Sequence, residues 1–253
     1  MTRKYSFLIA FAFAVGIAGT ANATIATVYD GIAAGRTSFD NTVTGAGGTV
    51  GVDTWTGLTG GNTSIDRGAY TITNNDGGAL SFRNYRSMSG QVIDIDPAGG
   101  GTNPRTDPMD YFDSGMTLTF DSAVNAVGFE VGDWATCCHS PVTELFISFD
   151  GGTPIKVASA TTRSQGRFPS QTDPASSVYE IFVAAFDDSG SFTKVSFWGN
   201  GIGEVLHAGG QVRYALLNQG SLPPIGAVPL PAAGWVLLTG VGALLALRRR
   251  KVA

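Results

Sequence analysis

Five aspartates sit close together in the first half of the chain: Asp94, Asp96, Asp107, Asp110 and Asp113. Asp94 and Asp96 are two apart on a predicted strand, so their side chains share one face. The other three follow across a Gly/Pro-rich stretch, 97–108, that reads as one long loop. Calcium takes six to eight oxygens from carboxylates, carbonyls and water on an adaptable loop, and this segment is a candidate for it. There is no Asp-x-Asp-x-Asp-Gly sequence, so the site would not be an EF-hand. The competing reading is a set of solvated aspartates capping turns.

The two cysteines, Cys137 and Cys138, are adjacent. Neighbouring Cα atoms lie about 3.8 Å apart, below the usual span of roughly 4.4–6.8 Å for a disulfide, so a vicinal bridge would be strained. A vicinal bridge and free or intermolecular thiols both remain open. Three consecutive residues cannot easily point at one tetrahedral ion, which argues against zinc on Cys137, Cys138 and His139. Trp134, His139 and Trp198, near predicted strand ends, are candidates for an aromatic platform under sugar rings. Aromatics in sandwiches are more often core.

Catalytic signatures are poor. A Ser/His/Asp triad would need His139 or His207, the only histidines, and no Gly-x-Ser-x-Gly elbow presents a serine. Glycoside hydrolysis needs two carboxylates at a set separation, and no acidic pair on one strand is singled out. The glycine pattern at 199–204 lacks the strand-to-helix context of a nucleotide fingerprint. The chain reads as non-enzymatic.

These residues must be carried by strands. Val127, Phe129 and Val131 alternate with Ala126, Gly128 and Glu130, and Leu145, Ile147 and Phe149 repeat the pattern before Asp150-Gly151-Gly152. Ile155 and Val157 then begin the return strand of a hairpin. Further strands are expected near 25–30, 49–55, 69–73, 80–85, 91–96, 116–121, 178–186, 192–198 and 211–217. No stretch of the body shows a helical period. Short strands with Gly and Asp turns predict an all-β chain: one antiparallel β-sandwich, jelly-roll-like, over 24–217. Residues 218–227 read as a Gly/Pro linker.

The two ends read differently. Arg3 and Lys4 precede an apolar run from Phe7 to Ile17 and the small-x-small site Ala21-Asn22-Ala23, the three parts of a signal peptide over 1–23. At the other end an apolar segment from Ala232 to Leu247 is followed by Arg248, Arg249, Arg250 and Lys251. It reads as a short transmembrane helix with its basic end in the cytoplasm and the body outside. The chain carries 16 Lys and Arg against 20 Asp and Glu, a net charge of −4. With two basic residues in the leader and four in the tail, the body has ten against twenty, or −10. Such a field repels nucleic acid and attracts cations.

Val228-Pro229-Leu230-Pro231-Ala232, the apolar segment and the final basic cluster together resemble the VPLPA variant of the PEP-CTERM sorting signal. The resemblance covers 228–253. It implies that, after signal peptidase removes the leader, an exosortase recognises the membrane-tethered precursor and passes the protein to the cell surface or extracellular matrix. The phrases LTFDSAVNAVGFEVGDW and LFISFDGG are also similar to β-sandwich domains of such surface proteins. The expected function is therefore a non-catalytic envelope or biofilm-matrix protein that interacts with exopolysaccharide, with calcium as a possible bridge. The alternatives are a secreted carbohydrate-active enzyme and a self-associating structural coat protein.

Overall fold

The computed structural model describes residues 25–95, 107–136, 142–162, 180–187, 189–200 and 205–222. The leader 1–23, Asp96, Cys137, Cys138, His139 and the sorting tail 228–253 lie outside them. Among the described residues no helix is long and apolar enough to cross a membrane.

The strands are β1 (Ile25–Asp30), β2 (Gly51–Thr54), β3 (Ser64–Asp66), β4 (Tyr70–Asn74), β5 (Phe82–Asn84), β6 (Gln91–Ile95), β7 (Met116–Val124), β8 (Ala126–Gly132), β9 (Thr143–Phe149), β10 (Ile155–Ala160), β11 (Ile181–Asp187), β12 (Phe192–Asn200) and β13 (Leu206–Ala215). They form two sheets. The first runs β1-β11-β8-β13-β6-β5, with β2 also paired to β13; the second runs β10-β9-β12-β7-β4-β3. Every pairing is antiparallel, and the β9–β10 hairpin forms as expected. The chain is a β-sandwich.

Alternation decides which side chains enter the core. Val127, Phe129 and Val131 of β8 meet Leu145 and Ile147 of β9, Val195 and Phe197 of β12, and Leu118 of β7 between the sheets. All are buried, with Phe129 edge-on to Phe197 at 4.9 Å. One residue carries the chain from β7 in one sheet to β8 in the other. That residue, Asn125, is fully buried: its Oδ1 accepts from Leu217 N–H at 2.6 Å and its Nδ2 donates to Leu217 C=O at 3.0 Å. A polar corner inside the protein is tolerated because its hydrogen bonds are made there.

The expectation of no helix in the body is overturned. Helix α1 (Ile32–Gly45) lies on the outer face of the first sheet. Beyond Ala33, Ala34 and Arg36 its residues are poor helix formers, and Thr37, Thr42 and Thr44 bond back to carbonyls four residues earlier. Packing holds it instead. Gly35, Phe39 and Val43, four apart, form its buried stripe. Phe39 stacks on Phe186 at 5.1 Å and meets Phe182 edge-on at 6.2 Å. Gly35 is required there, since a Cβ would run into Phe182. A second difference is local: the end of the expected 97–108 loop leads into a 3-10 helix, Pro108–Ser114, that packs on β12.

Candidate functional site

The outer face of the second sheet collects hydroxyls. Because Val195, Phe197, Leu118 and Ile72 face the core, the residues between them face out. The register places Ser148, Ser196, Thr117, Thr73 and Ser64 side by side across five strands. Thr119 and Thr71 form a parallel row beside them, between Lys194 and Asp66. The row passes from covered to open. Ser148, Ser196 and Thr117 are buried, Thr73, Thr71 and Thr119 are half-buried, and Ser64 is exposed. Thr117 Oγ1 lies 2.7 Å from Ser196 Oγ and donates to Asn75 Oδ1 at 2.6 Å.

The 3-10 helix forms a step along the next row. Tyr111, Phe146 and Trp198 make a satellite apolar cluster, with Phe112 partly buried against it. Trp198 donates its indole N–H to Pro108 C=O at 2.9 Å and stacks on Phe146 at 5.9 Å. Met109 is nearly half exposed on the same helix. The face therefore sets the exposed Met109 and the half-buried Phe112 on one helix with Asp107, Asp110 and Asp113, above a sheet whose hydroxyl rows are themselves neutral.

A second concentration of polar groups lies on the outer face of the first sheet. Glu130, Glu180 and His207 are buried there, between α1 and the segment 85–89. His207 Nδ1 is 2.8 Å from Asp94 Oδ1, Asp94 Oδ2 pairs with Arg83, and the Tyr85 ring stacks over His207 at 3.8 Å between centroids. Burial pushes the Tyr85 hydroxyl up to about 12, and the nearby Asp133 charge adds to the rise. Glu180 accepts from the Ser87 hydroxyl and from Ser87 N–H at 3.2 Å. Glu130 Oε2 accepts from Ser89 N–H at 2.7 Å, and burial raises its carboxyl above the ordinary range.

The residues expected from sequence to form sites are dispersed. Asp94 stands on β6 in the first sheet, engaged with His207 and Arg83. Asp107, Asp110 and Asp113 are exposed on the 3-10 helix over the second sheet. Asp107 caps that helix through Met109 N–H at 2.9 Å. Proximity along the chain is thus separation across the sandwich, and among the described residues no three His, Cys, Asp or Glu side chains converge as a metal ion requires. Trp134 is fully buried in the inter-sheet core and Trp198 is fully buried beneath the 3-10 helix. Neither offers a ring face to solvent, so the two tryptophans are packing residues rather than an open platform. Sequence reasoning missed the hydroxyl grid, although Thr71-x-Thr73 and Thr117-x-Thr119 spell it. It also missed Glu130, whose signal was a carboxylate in an otherwise apolar strand.

No family model matches the chain, and no curated protein matches it. Among solved structures the chain is similar to a carbohydrate-binding module of family 29, at 10% identity and a TM-score of 0.31, over 73% of this chain and 98% of that one. A variant of such a module in complex with cellulohexaose gives 10% identity and a TM-score of 0.31, over 70% of this chain and 97% of that one. At those scores the superposition is too loose to carry a function across.

Proposed function

We infer that this chain is an exported, non-catalytic β-sandwich that contacts polysaccharide through the outer face of its second sheet. The observation that carries this reading is the accessible part of the two-row hydroxyl grid, Ser64, Thr71, Thr73 and Thr119. Sugar hydroxyls bond both as donors and as acceptors, and a Ser or Thr hydroxyl does the same. Within each row the hydroxyls follow one another at the strand separation of about 4.8 Å, the length scale of a sugar unit. Met109 and Phe112 border the grid and suit the apolar faces of the rings.

Charge narrows the glycan. The body's net −10 opposes a polyanionic polymer, while the grid itself is neutral, so an uncharged polysaccharide is the preferred ligand. An acidic exopolysaccharide would need a bridging cation such as calcium. The route outward rests on the leader and on the resemblance of the tail to an exosortase signal. A protein routed in this way would work at the cell surface or in the matrix.

The test is affinity electrophoresis of the purified chain in gels containing a neutral or an acidic polysaccharide, each with calcium and with chelator. Retardation by the neutral polymer that survives chelator supports the reading. Retardation only by the acidic polymer and only with calcium replaces the grid with a metal bridge. Turnover of either polymer makes the protein an enzyme, and no retardation in any gel leaves a structural coat protein.

A further inference from the structure

Glu130 stands in surroundings that suit its neutral form and strain against its charged one. Its side chain is wholly buried on the outer face of β8. Oε2 receives the Ser89 N–H at 2.7 Å, whereas Oε1 is buried without a hydrogen-bond partner among the described residues. The nearest cation, Arg36 of α1, stops 3.6 Å short of Oε1. Arg36 is held there by other acceptors: its Nη1 donates to Ser89 Oγ at 2.9 Å and to Gln211 Oε1 at 3.3 Å.

The room for this carboxyl is built into the backbone. Gly209 lies opposite Glu130 in the ladder, and the register shifts between Gly209 and Arg213. Gly209 and Gly210 both have positive φ, +130° and +66°. A Cβ on Gly210 would strike the Glu130 carboxylate, so the shape of the bulge and the place of the acid are one feature.

The groups packed around Glu130 come from every neighbouring element. Arg36 belongs to α1, as does Asp40, which binds Arg213 Nε at 2.8 Å. Gln211 and Arg213 come from β13, with His207 and its partner Asp94 further along. The segment before β6 supplies Ser89, Tyr85 and Arg86, the last two stacked as a cation–π pair at 5.8 Å. On β11 the register partner is Phe182, and Glu180 just before that strand is bound to Ser87. Two arginines are thus near, yet one is tied to Asp40 and the other to Ser89 and Gln211.

We propose that Glu130 is a proton-operated latch: as the neutral acid it lets α1 and the segment 85–89 close on the first sheet, and on ionising it loosens them. A neutral carboxyl here leaves one polar atom unpartnered, a far smaller cost than a buried charge. A carboxylate with a bare, buried oxygen calls for water or for Arg36, and Arg36 reaches it only by leaving Ser89 and Gln211. Either response pulls at the contacts that fasten α1. Burial raises the carboxyl above its ordinary value. The closed state is therefore favoured below the ordinary carboxylate range, and that advantage is lost as pH rises through the raised value.

Amide hydrogen exchange of the full chain, corrected for intrinsic rates and followed by peptide from acid to neutral pH, tests this. In the wild-type chain, opening of 32–45 and 85–89 should rise by up to about tenfold per pH unit between the ordinary carboxylate range and the raised value of Glu130, then level off, while β7 and β12 stay protected. Glu130→Gln should hold both segments closed at every pH. Infrared difference spectra of wild type against E130Q should show a neutral carboxyl band that disappears over the same interval. Equal protection in wild type and E130Q across the range overturns the proposal. So does an E130 carboxyl that is ionised throughout. If E130Q does not fold, Arg36→Met decides: without its nearest cation the carboxyl stays neutral to higher pH, so its infrared band and the levelling-off of the opening must both move to higher pH, and an unmoved transition overturns the latch.

Discussion

Arg67 grips Asp53 with two prongs, Nε to Oδ2 at 2.9 Å and Nη2 to Oδ1 at 2.6 Å. Asp53 belongs to β2 in the first sheet and Arg67 to the turn between β3 and β4 in the second, so the pair ties the two layers together. Tyr70 completes it, donating to Asp53 Oδ2 at 2.6 Å and accepting from the Trp55 indole at 2.7 Å. Burial pushes Asp53 up, but the bonds from Arg67 and Tyr70 outweigh this and hold it below its usual range.

A pH dependence follows from that sign. A carboxyl depressed in the folded state stabilises above its ordinary value and stops doing so as pH falls through its folded value. The wild-type urea midpoint should decline through that acid interval, and Asp53→Asn should remove this part of the decline. At neutral pH, D53N should be less stable by about 2 kcal/mol, since it leaves Arg67 without its charged partner.

Tyr70→Phe tests the same tie without changing charge. It strands the buried Trp55 N–H and removes one donor to Asp53, so a loss of about 1–3 kcal/mol is expected. Urea titration monitored by tryptophan fluorescence would measure it, and an unchanged midpoint would show that the tie contributes nothing.

Asn125 makes a sharper demand, because both of its side-chain groups bind the backbone of Leu217. Asn125→Ala should cost about 2–4 kcal/mol by leaving two buried backbone groups unpaired. Asn125→Asp should cost more at neutral pH, since it replaces a donor with a charge facing a carbonyl.

For the hydroxyl grid, Thr73→Val combined with Thr119→Val removes two hydroxyls while preserving shape. Retardation by neutral polysaccharide should weaken by roughly thirtyfold, on the basis of about 1 kcal/mol for each of the two lost hydrogen bonds, with the urea midpoint little changed. Trp198→Ala is the contrast. Its ring is buried, so it should lower stability by about 3–5 kcal/mol and affect binding only through the fold.

The strands were legible because an inward-outward rhythm is written directly into segments such as Ala126–Gly132 and Thr143–Phe149. Helix α1 was not, since three residues, Gly35, Phe39 and Val43, form its buried stripe and its other positions are mostly Thr, Ser, Asn and Gly. Its existence depends on Phe182 and Phe186 far along the chain, a tertiary cause that local propensity cannot register. The aspartate cluster misled for the same reason in reverse: Asp94 and Asp107 are near in sequence, yet topology assigns them to opposite sheets. The hydroxyl grid required knowing that β4 and β7 are neighbours, which no local pattern states.

The pairing of β1 with β11 and of β2 with β13 sets a timetable for folding. Each early strand finds its partner only near the far end of the described chain, so the first sheet cannot close while those last strands are still being made. Contacts of such long sequence separation form slowly, because the intervening chain must lose its freedom first. The second sheet has sequence-local hairpins, β3–β4 and β9–β10, to start from, so closure of the first sheet is the late event of folding.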